Sequence, residues 1–163
     1  MTRVLVLNGP NLNLLGHREP ALYGRSGLAD AQRLCESAGA EVGVDVEFRQ
    51  SNHEGELVDW LQQAGAGQAA GELAGVVLNA GAYSHKSIAL RDAIVGTGLV
   101  VVEVHVSNVY TREDFRQHSY ISAVAAGVIV GLGVSGYALA VRALADLSAD
   151  SGSAAGGGSA EPT

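Results

Sequence analysis

Val100-Val-Val-Glu103-Val-His105-Val-Ser107-Asn108 is an apolar strand with three polar side chains set into it. A β-strand sends alternate residues to opposite faces, so Glu103, His105 and Ser107 line up on one side. Burying a carboxylate or an imidazole without a partner costs roughly as much as a domain's whole stability margin. Such groups persist where they are paired or used, and the strand reads as the floor of an active site. Taken alone, it also fits a satisfied Glu103–His105 pair with no catalytic task.

Outward from this strand the chain alternates short apolar runs with longer amphipathic segments. The runs are Arg3–Leu7, Val44–Arg49, Leu73–Leu78, Leu99–Val104 and Gly127–Val130. A helix starting at Ser26 or Gly27 carries Leu28, Ala31, Leu34, Cys35 and Ala38 at helical spacing. A second starts at Glu54 with Leu57, Val58 and Leu61 on its apolar face, and His85–Ile94 and Val134–Leu147 give two more. A weaker helical turn is expected between Arg112 and Ser119. This alternation is the signature of βαβ units and a parallel sheet. It predicts an α/β, flavodoxin-like, doubly wound five-stranded sheet of order 2-1-3-4-5 with helices on both faces. Ligands of such sheets bind beyond the carboxyl ends of the strands. Asn8-Gly9-Pro10-Asn11, Gln50-Ser51-Asn52-His53, Asn79 to His85 and His105 to Asn108 all fall at that edge.

The length of 163 residues suits one core of ordinary size, so residues 1–148 are expected to form a single catalytic domain. From Ser148 the composition collapses to Ser, Ala and Gly. Residues 149–163 are expected to be a disordered tail, because such a segment buries too little to offset its ordering entropy. A formal net charge of -7 and a pI near 5.1 oppose binding to phosphate backbones, so nucleic acid is not an expected partner. Cys35 is the single cysteine, which excludes an intramolecular disulfide; it reads as a buried thiol in a reducing, cytoplasmic setting. The apolar run after Met1-Thr2-Arg3 is too short for a secretory signal, and the uncharged stretch between Arg116 and Arg142 is cut by glycines into strand, turn and helix rather than a membrane span.

Several motifs carry a resemblance. Asn8-Gly-Pro-Asn-Leu-Asn-Leu-Leu-Gly16, Arg18-Glu-Pro20 with Tyr23-Gly24, Gln50-Ser-Asn-His-Glu-Gly55, Glu103-Val-His-Val-Ser-Asn108 and Arg112-Glu-Asp-Phe-Arg116 resemble type II 3-dehydroquinate dehydratase, from about Val4 to Leu147. The resemblance implies conversion of 3-dehydroquinate to 3-dehydroshikimate by loss of water, with no metal or organic cofactor. It also implies a homododecamer built as a tetramer of trimers. Elimination beside a ketone needs a base for the α proton, support for the developing enolate and an acid for the departing hydroxyl. By resemblance Tyr23 is the base. Bringing a phenol from about 10 toward 7 or 8 takes roughly 3–4 kcal/mol, which a neighbouring guanidinium supplies. Arg18 is the implied activating residue, with Arg112 as a second positive neighbour.

The same resemblance makes His105 the general acid, Glu103 its orienting carboxylate and Asn11 the support for the enolate through a bound water. Asn79, His85, Asp92, the backbone at Val106 and Ser107, and Arg116 are the implied substrate-binding residues. Asp92 is expected to reach the site of a neighbouring subunit. Lys86 departs from the family pattern and adds a positive charge near the ring-hydroxyl pocket. Gly131-Leu-Gly-Val-Ser-Gly136 matches a dinucleotide fingerprint formally, but no strand with an acidic residue follows it, and close helix–strand packing is the better account. The long connection from Asn8 to Tyr23 is expected to be a flap closing over the substrate. A flavin- or nucleotide-binding module is the main rival reading, and it lacks a Ser/Thr-rich phosphate loop after the first strand. An inactive scaffold stays open on sequence alone.

Overall fold

The computed structural model describes residues 1–17, 21 and 25–155, the side chain of Ala155 excepted. Strands β1 (Arg3–Asn8), β2 (Asp45–Gln50), β3 (Leu73–Asn79), β4 (Val101–His105) and β5 (Gly127–Val130) form one sheet in the order β2-β1-β3-β4-β5. Every pairing is parallel. Both the order and the direction match the sequence expectation.

Alternation along the strands builds two apolar layers. Val4 and Val6 of β1, Val77 of β3, and Val102 and Val104 of β4 face one way. There they meet helix α1 (Leu28–Val42) through Ala31, Cys35 and Ala38, and helix α4 (Ser135–Ala155) through Tyr137, Val141 and Leu144. Leu5, Leu7, Val76, Leu78 and Val101 face the other way. They pack on α2 (Glu54–Ala69) through Leu57 and Leu61, and on α3 (Ile88–Thr97) through Leu90 and Ile94. Cys35 lies fully inside the first layer, where burial, assisted by the charge of Glu36, pushes its thiol up to about 12. It is an inert packing group, as expected.

The third and last helices differ from the sequence reading, the third also ending at Thr97 rather than Ile94. The third helix begins at Ile88 rather than His85, because Ser87 is the better cap: its hydroxyl accepts the Leu90 N–H at 3.0 Å. Residues Gly81–His85 instead form a separate 3-10 turn. The last helix runs to Ala155 rather than ending at Leu147, so residues 149–155 are helical. Extending a helix already anchored on the sheet fixes one residue per added hydrogen bond, and alanine is the best helix former. The extension therefore needs little burial. Residues 156–163 lie outside the described residues.

The expected turn between Arg112 and Ser119 is present as the 3-10 turn Asp114–Arg116, preceded by another at Val109–Thr111. A Cβ on Gly136 would lie 3.2 Å from Ile129 Cγ2 and 3.4 Å from Val104 Cγ1, so the glycine lets α4 approach the sheet, in keeping with the packing account of that motif. Among the described residues no helix is long and apolar enough to cross a membrane.

Leu144 ties α4 to the sheet and is fully buried. Leu144→Ala is expected to lower stability by about 2–5 kcal/mol, read as a shifted midpoint with an unchanged slope in urea unfolding.

Candidate active site

The carboxyl ends of the strands hold the polar residues of the sheet. Asn8 is in register with Gln50 on one side and Asn79 on the other, so three amides meet at one level of β2, β1 and β3. Each is claimed by a specific partner. Asn8 Nδ2 donates to the Arg49 carbonyl at 3.0 Å. The Tyr137 hydroxyl donates to Asn8 Oδ1 at 2.7 Å and accepts from Asn79 Nδ2 at 2.8 Å. Asn79 Oδ1 accepts the Gly81 N–H at 3.2 Å. Tyr137 thus stitches α4 to the ends of β1 and β3, and burial pushes its phenol up so that it stays a neutral hydroxyl.

Beyond β1 the chain turns through Gly9, where a Cβ would stand 2.3 Å from the Ala80 carbonyl oxygen; only glycine lets the two strand ends come together. Asn11 follows with φ 66°, the one non-glycine residue in the left-handed region among those described. Its N–H donates to Asn52 Oδ1 at 3.0 Å, and Gln50 Nε2 donates to the same oxygen at 3.1 Å. The Gln50–His53 segment therefore acts by holding the Asn11 turn in place.

At the end of β4, Glu103 has 0% exposure and its Oε2 lies 3.1 Å from His105 Nε2. Burial works against the carboxylate, but hydrogen bonds from His105, Ser119 and Ser122 outweigh it and hold Glu103 below its ordinary range. An ionised carboxylate only accepts, so Nε2 of His105 carries a proton and Nδ1 is the nitrogen that Glu103 does not engage. The His85 ring lies nearly parallel to that of His105, with centroids 6.3 Å apart. His85 Nδ1 is 2.8 Å from the His118 carbonyl and must donate to it, which leaves Nε2 as an acceptor. Burial lowers the pKa of His85 from its usual 6.5 and favours this neutral form.

These groups share one cleft. Asn11, Asn79, His85, His105, Val106, Ser107, Arg112 and Arg116 all line it, with Leu12, Leu14, Leu15 and Val109 as apolar wall. Glu103 lies behind His105 rather than in the wall. Arg116 Nε donates to Glu113 Oε2 at 2.9 Å, and Arg112 Nε lies 3.9 Å from the same oxygen. Two guanidiniums thus stand in the cleft wall, and Glu113, which does not line the cleft, answers part of their charge.

Asp92 is exposed on α3 and does not line the cleft of its own chain. Lys86 is exposed too, with Nζ 5.9 Å from the centroid of the Tyr83 ring, and is not part of the wall. Arg18 and Tyr23 lie outside the described residues, as do Glu19, Pro20 and Leu22 of the expected flap. Among the described residues no cluster of three or more His, Cys, Asp or Glu side chains is arranged to hold a metal ion. Sequence reading missed Tyr137, Ser119 and Ser122. Tyr137 sits at a regular apolar position of its helix, and the serines gave no spacing signal.

The fold is a flavodoxin-like α/β sheet of five parallel strands with a carboxylate–imidazole pair at its carboxyl edge. The chain belongs to the class II dehydroquinase family, whose model, described as "Dehydroquinase class II", matches residues 2–145. It is 62% identical over 144 residues to the 3-dehydroquinate dehydratase of Variovorax paradoxus (strain S110), covering 88% of this chain and 99% of that one. It is 60% identical over 144 residues to 3-dehydroquinate dehydratase 2 of Ralstonia nicotianae, covering 88% of this chain and 94% of that one. The type II dehydroquinase from Propionibacterium acnes superposes with a TM-score of 0.82 at 43% identity, covering 90% of this chain and 97% of that chain.

Tyr137→Phe removes the hydroxyl that serves both Asn8 and Asn79 and leaves two buried amides short of a partner. A loss of about 1–3 kcal/mol is expected, read as a lowered midpoint in chemical denaturation.

Proposed function

We propose a division of labour within this cleft for the reaction of the family. The protein is a type II 3-dehydroquinate dehydratase, a hydro-lyase that converts 3-dehydroquinate to 3-dehydroshikimate in the shikimate pathway or in quinate breakdown. The base removes the proton from the carbon next to the ketone, and the electron pair moves onto the ketone oxygen as an enolate. When the enolate collapses, the bond to the β hydroxyl breaks and that oxygen leaves as water with a proton from the acid. In this reading Tyr23, activated by Arg18, is the base, and His105 is the acid.

The observation that carries the acid assignment is the Glu103–His105 pair, 3.1 Å apart, with the imidazole lining the cleft. Glu103 fixes the tautomer and compensates the charge the ring carries when Nδ1 holds a second proton. Asn11 supports the enolate with a neutral donor, and its strained turn, pinned by Asn52, keeps that donor aimed before substrate arrives. The substrate carboxylate is taken by the backbone and hydroxyl at Val106 and Ser107. Its ring hydroxyls are met by Asn79, by the acceptor nitrogen of His85 and by Arg116. Asp92 acts in the site of a neighbouring subunit; its exposure on α3, away from its own cleft, fits that role. A homododecamer, a tetramer of trimers, is the assembly proposed. The exposed apolar side chains Ile88, Val95, Tyr110, Phe115, Val128 and Leu132 fit contacts between copies. A cytoplasmic location agrees with the single, inert cysteine.

Purified protein given 3-dehydroquinate without added metal or nucleotide is expected to form the conjugated ketone, followed by its ultraviolet absorption. His105→Ala and Tyr23→Phe are each expected to lower kcat by at least a hundredfold, with KM within about tenfold. Turnover near the parental rate in either variant removes that residue from its role.

A further inference from the structure

Ser119 lies on the loop after the 3-10 turn Asp114–Arg116, and Ser122 opens the 3-10 turn Ser122–Val124 that precedes β5. Ser119 Oγ is 2.7 Å from Oε1 and 3.2 Å from Oε2 of Glu103, and Ser122 Oγ is 2.7 Å from Oε2 and 3.1 Å from Oε1. The direction of the first bond is fixed. Ser119 Oγ already accepts the N–H groups of Ile121 at 3.1 Å and Ser122 at 3.3 Å, so its single proton points to the carboxylate. Ser122 has the same carboxylate as its acceptor. With His105 Nε2, Glu103 is met by three donors, and neither serine lines the cleft.

We infer that Ser119 and Ser122 are positioning residues for the dehydration, acting through Glu103: their hydroxyls keep the carboxylate charged and aimed at Nε2 of His105, so that Nδ1 is the nitrogen that serves the substrate. The inference rests on the reading in which His105 is the acid. Its physical basis is the depth of Glu103. A carboxylate with 0% exposure depends on its donors, and with both hydroxyls gone only the imidazole opposes the cost of burial. A proton then settles on Glu103 at a higher pH, and the compensation of His105 is lost.

The surroundings leave the serines few substitutes. Leu78 of β3 and Val128 of β5 flank Glu103 in register and are apolar. Of the titratable groups facing it, His105 comes from its own strand and His85 from the turn after β3. His118, on the serine loop, packs edge-on against Tyr120 instead. The loop is itself anchored to the site: the Tyr120 N–H donates to the Ser84 carbonyl at 2.8 Å, and Arg91 Nη1 donates to the Tyr120 carbonyl at 3.0 Å. The stretch 118–122 thus serves His85 through its carbonyl and Glu103 through its hydroxyls.

The test is the pH dependence of turnover of 3-dehydroquinate by the full chain carrying Ser119→Ala and Ser122→Ala together. We expect kcat at neutral pH to fall at least tenfold with KM within about threefold, and the acid limb of kcat to move up by roughly one pH unit or more. The sign follows from the chemistry: fewer donors to the charged form raise the pKa of Glu103, so activity is lost earlier as pH falls. The Ser119→Thr, Ser122→Thr pair retains both hydroxyls and is expected to restore the limb. A profile overlaying the parental one overturns the inference, as does a uniform loss at every pH with rising KM and no rescue by threonine. Should the double alanine variant not fold, the single variants decide, each expected to move the limb the same way by less; two unmoved limbs overturn it. His105→Ala separates this from failure of the underlying reading. If it is inactive while the serine variants behave as the parent, only the serine inference falls; if it turns over normally, the acid assignment itself falls.

Discussion

A carboxylate inside a protein is tolerated only when its charge is answered on the spot, and Glu103 imposes that demand on everything around it. Its strand neighbours are apolar, so the answer comes from His105 two residues on and from the hydroxyls of Ser119 and Ser122 on a separate loop. Satisfying one charge therefore sets the orientation of an imidazole and the course of a loop that also holds His85 by a backbone carbonyl. The preceding part of that loop carries Arg112 and Arg116 into the cleft wall. A half-satisfied network of this kind would be less stable than an apolar core, which is why all of its members belong together.

The remaining polar residues obey the same logic at lower stakes. Parallel strands end with backbone and side-chain groups that the ladder no longer serves, and here Asn8, Asn79 and Tyr137 close on one another while Gln50 and Asn52 hold the turn at Asn11. The two apolar layers supply the stability against which this edge is built. Gly9 lets the ends of β1 and β3 approach closely enough for Asn11 and Asn79 to share a cleft. Fold and site are thus joined at the strand ends, where packing stops and donors and acceptors become available to a ligand.

Much of this was legible in the residues. Five apolar runs separated by helical patterns gave the strands, and the alternation gave the parallel order. Polar side chains inside an apolar strand pointed to Glu103 and His105, because burial makes such residues expensive and therefore informative. Helical spacing runs on through His85, but the capping hydroxyl of Ser87 sets the start of α3 at Ile88. The apolar spacing of α4 stops at Leu147, whereas the helix itself continues to Ala155, because propagation from an anchored helix needs little burial. Ser119, Ser122 and Tyr137 were illegible for another reason. Their roles exist only through contacts with residues distant in the chain, which no local period encodes.

The site depends on Glu103 being charged in the folded protein. Carbon-13 NMR of its side-chain carboxyl through a pH titration measures this directly, with Glu103→Gln providing the assignment. The expected result is a carboxylate at neutral pH that takes up its proton only below the ordinary value of 4.5. A carboxyl already protonated near pH 7 would contradict it.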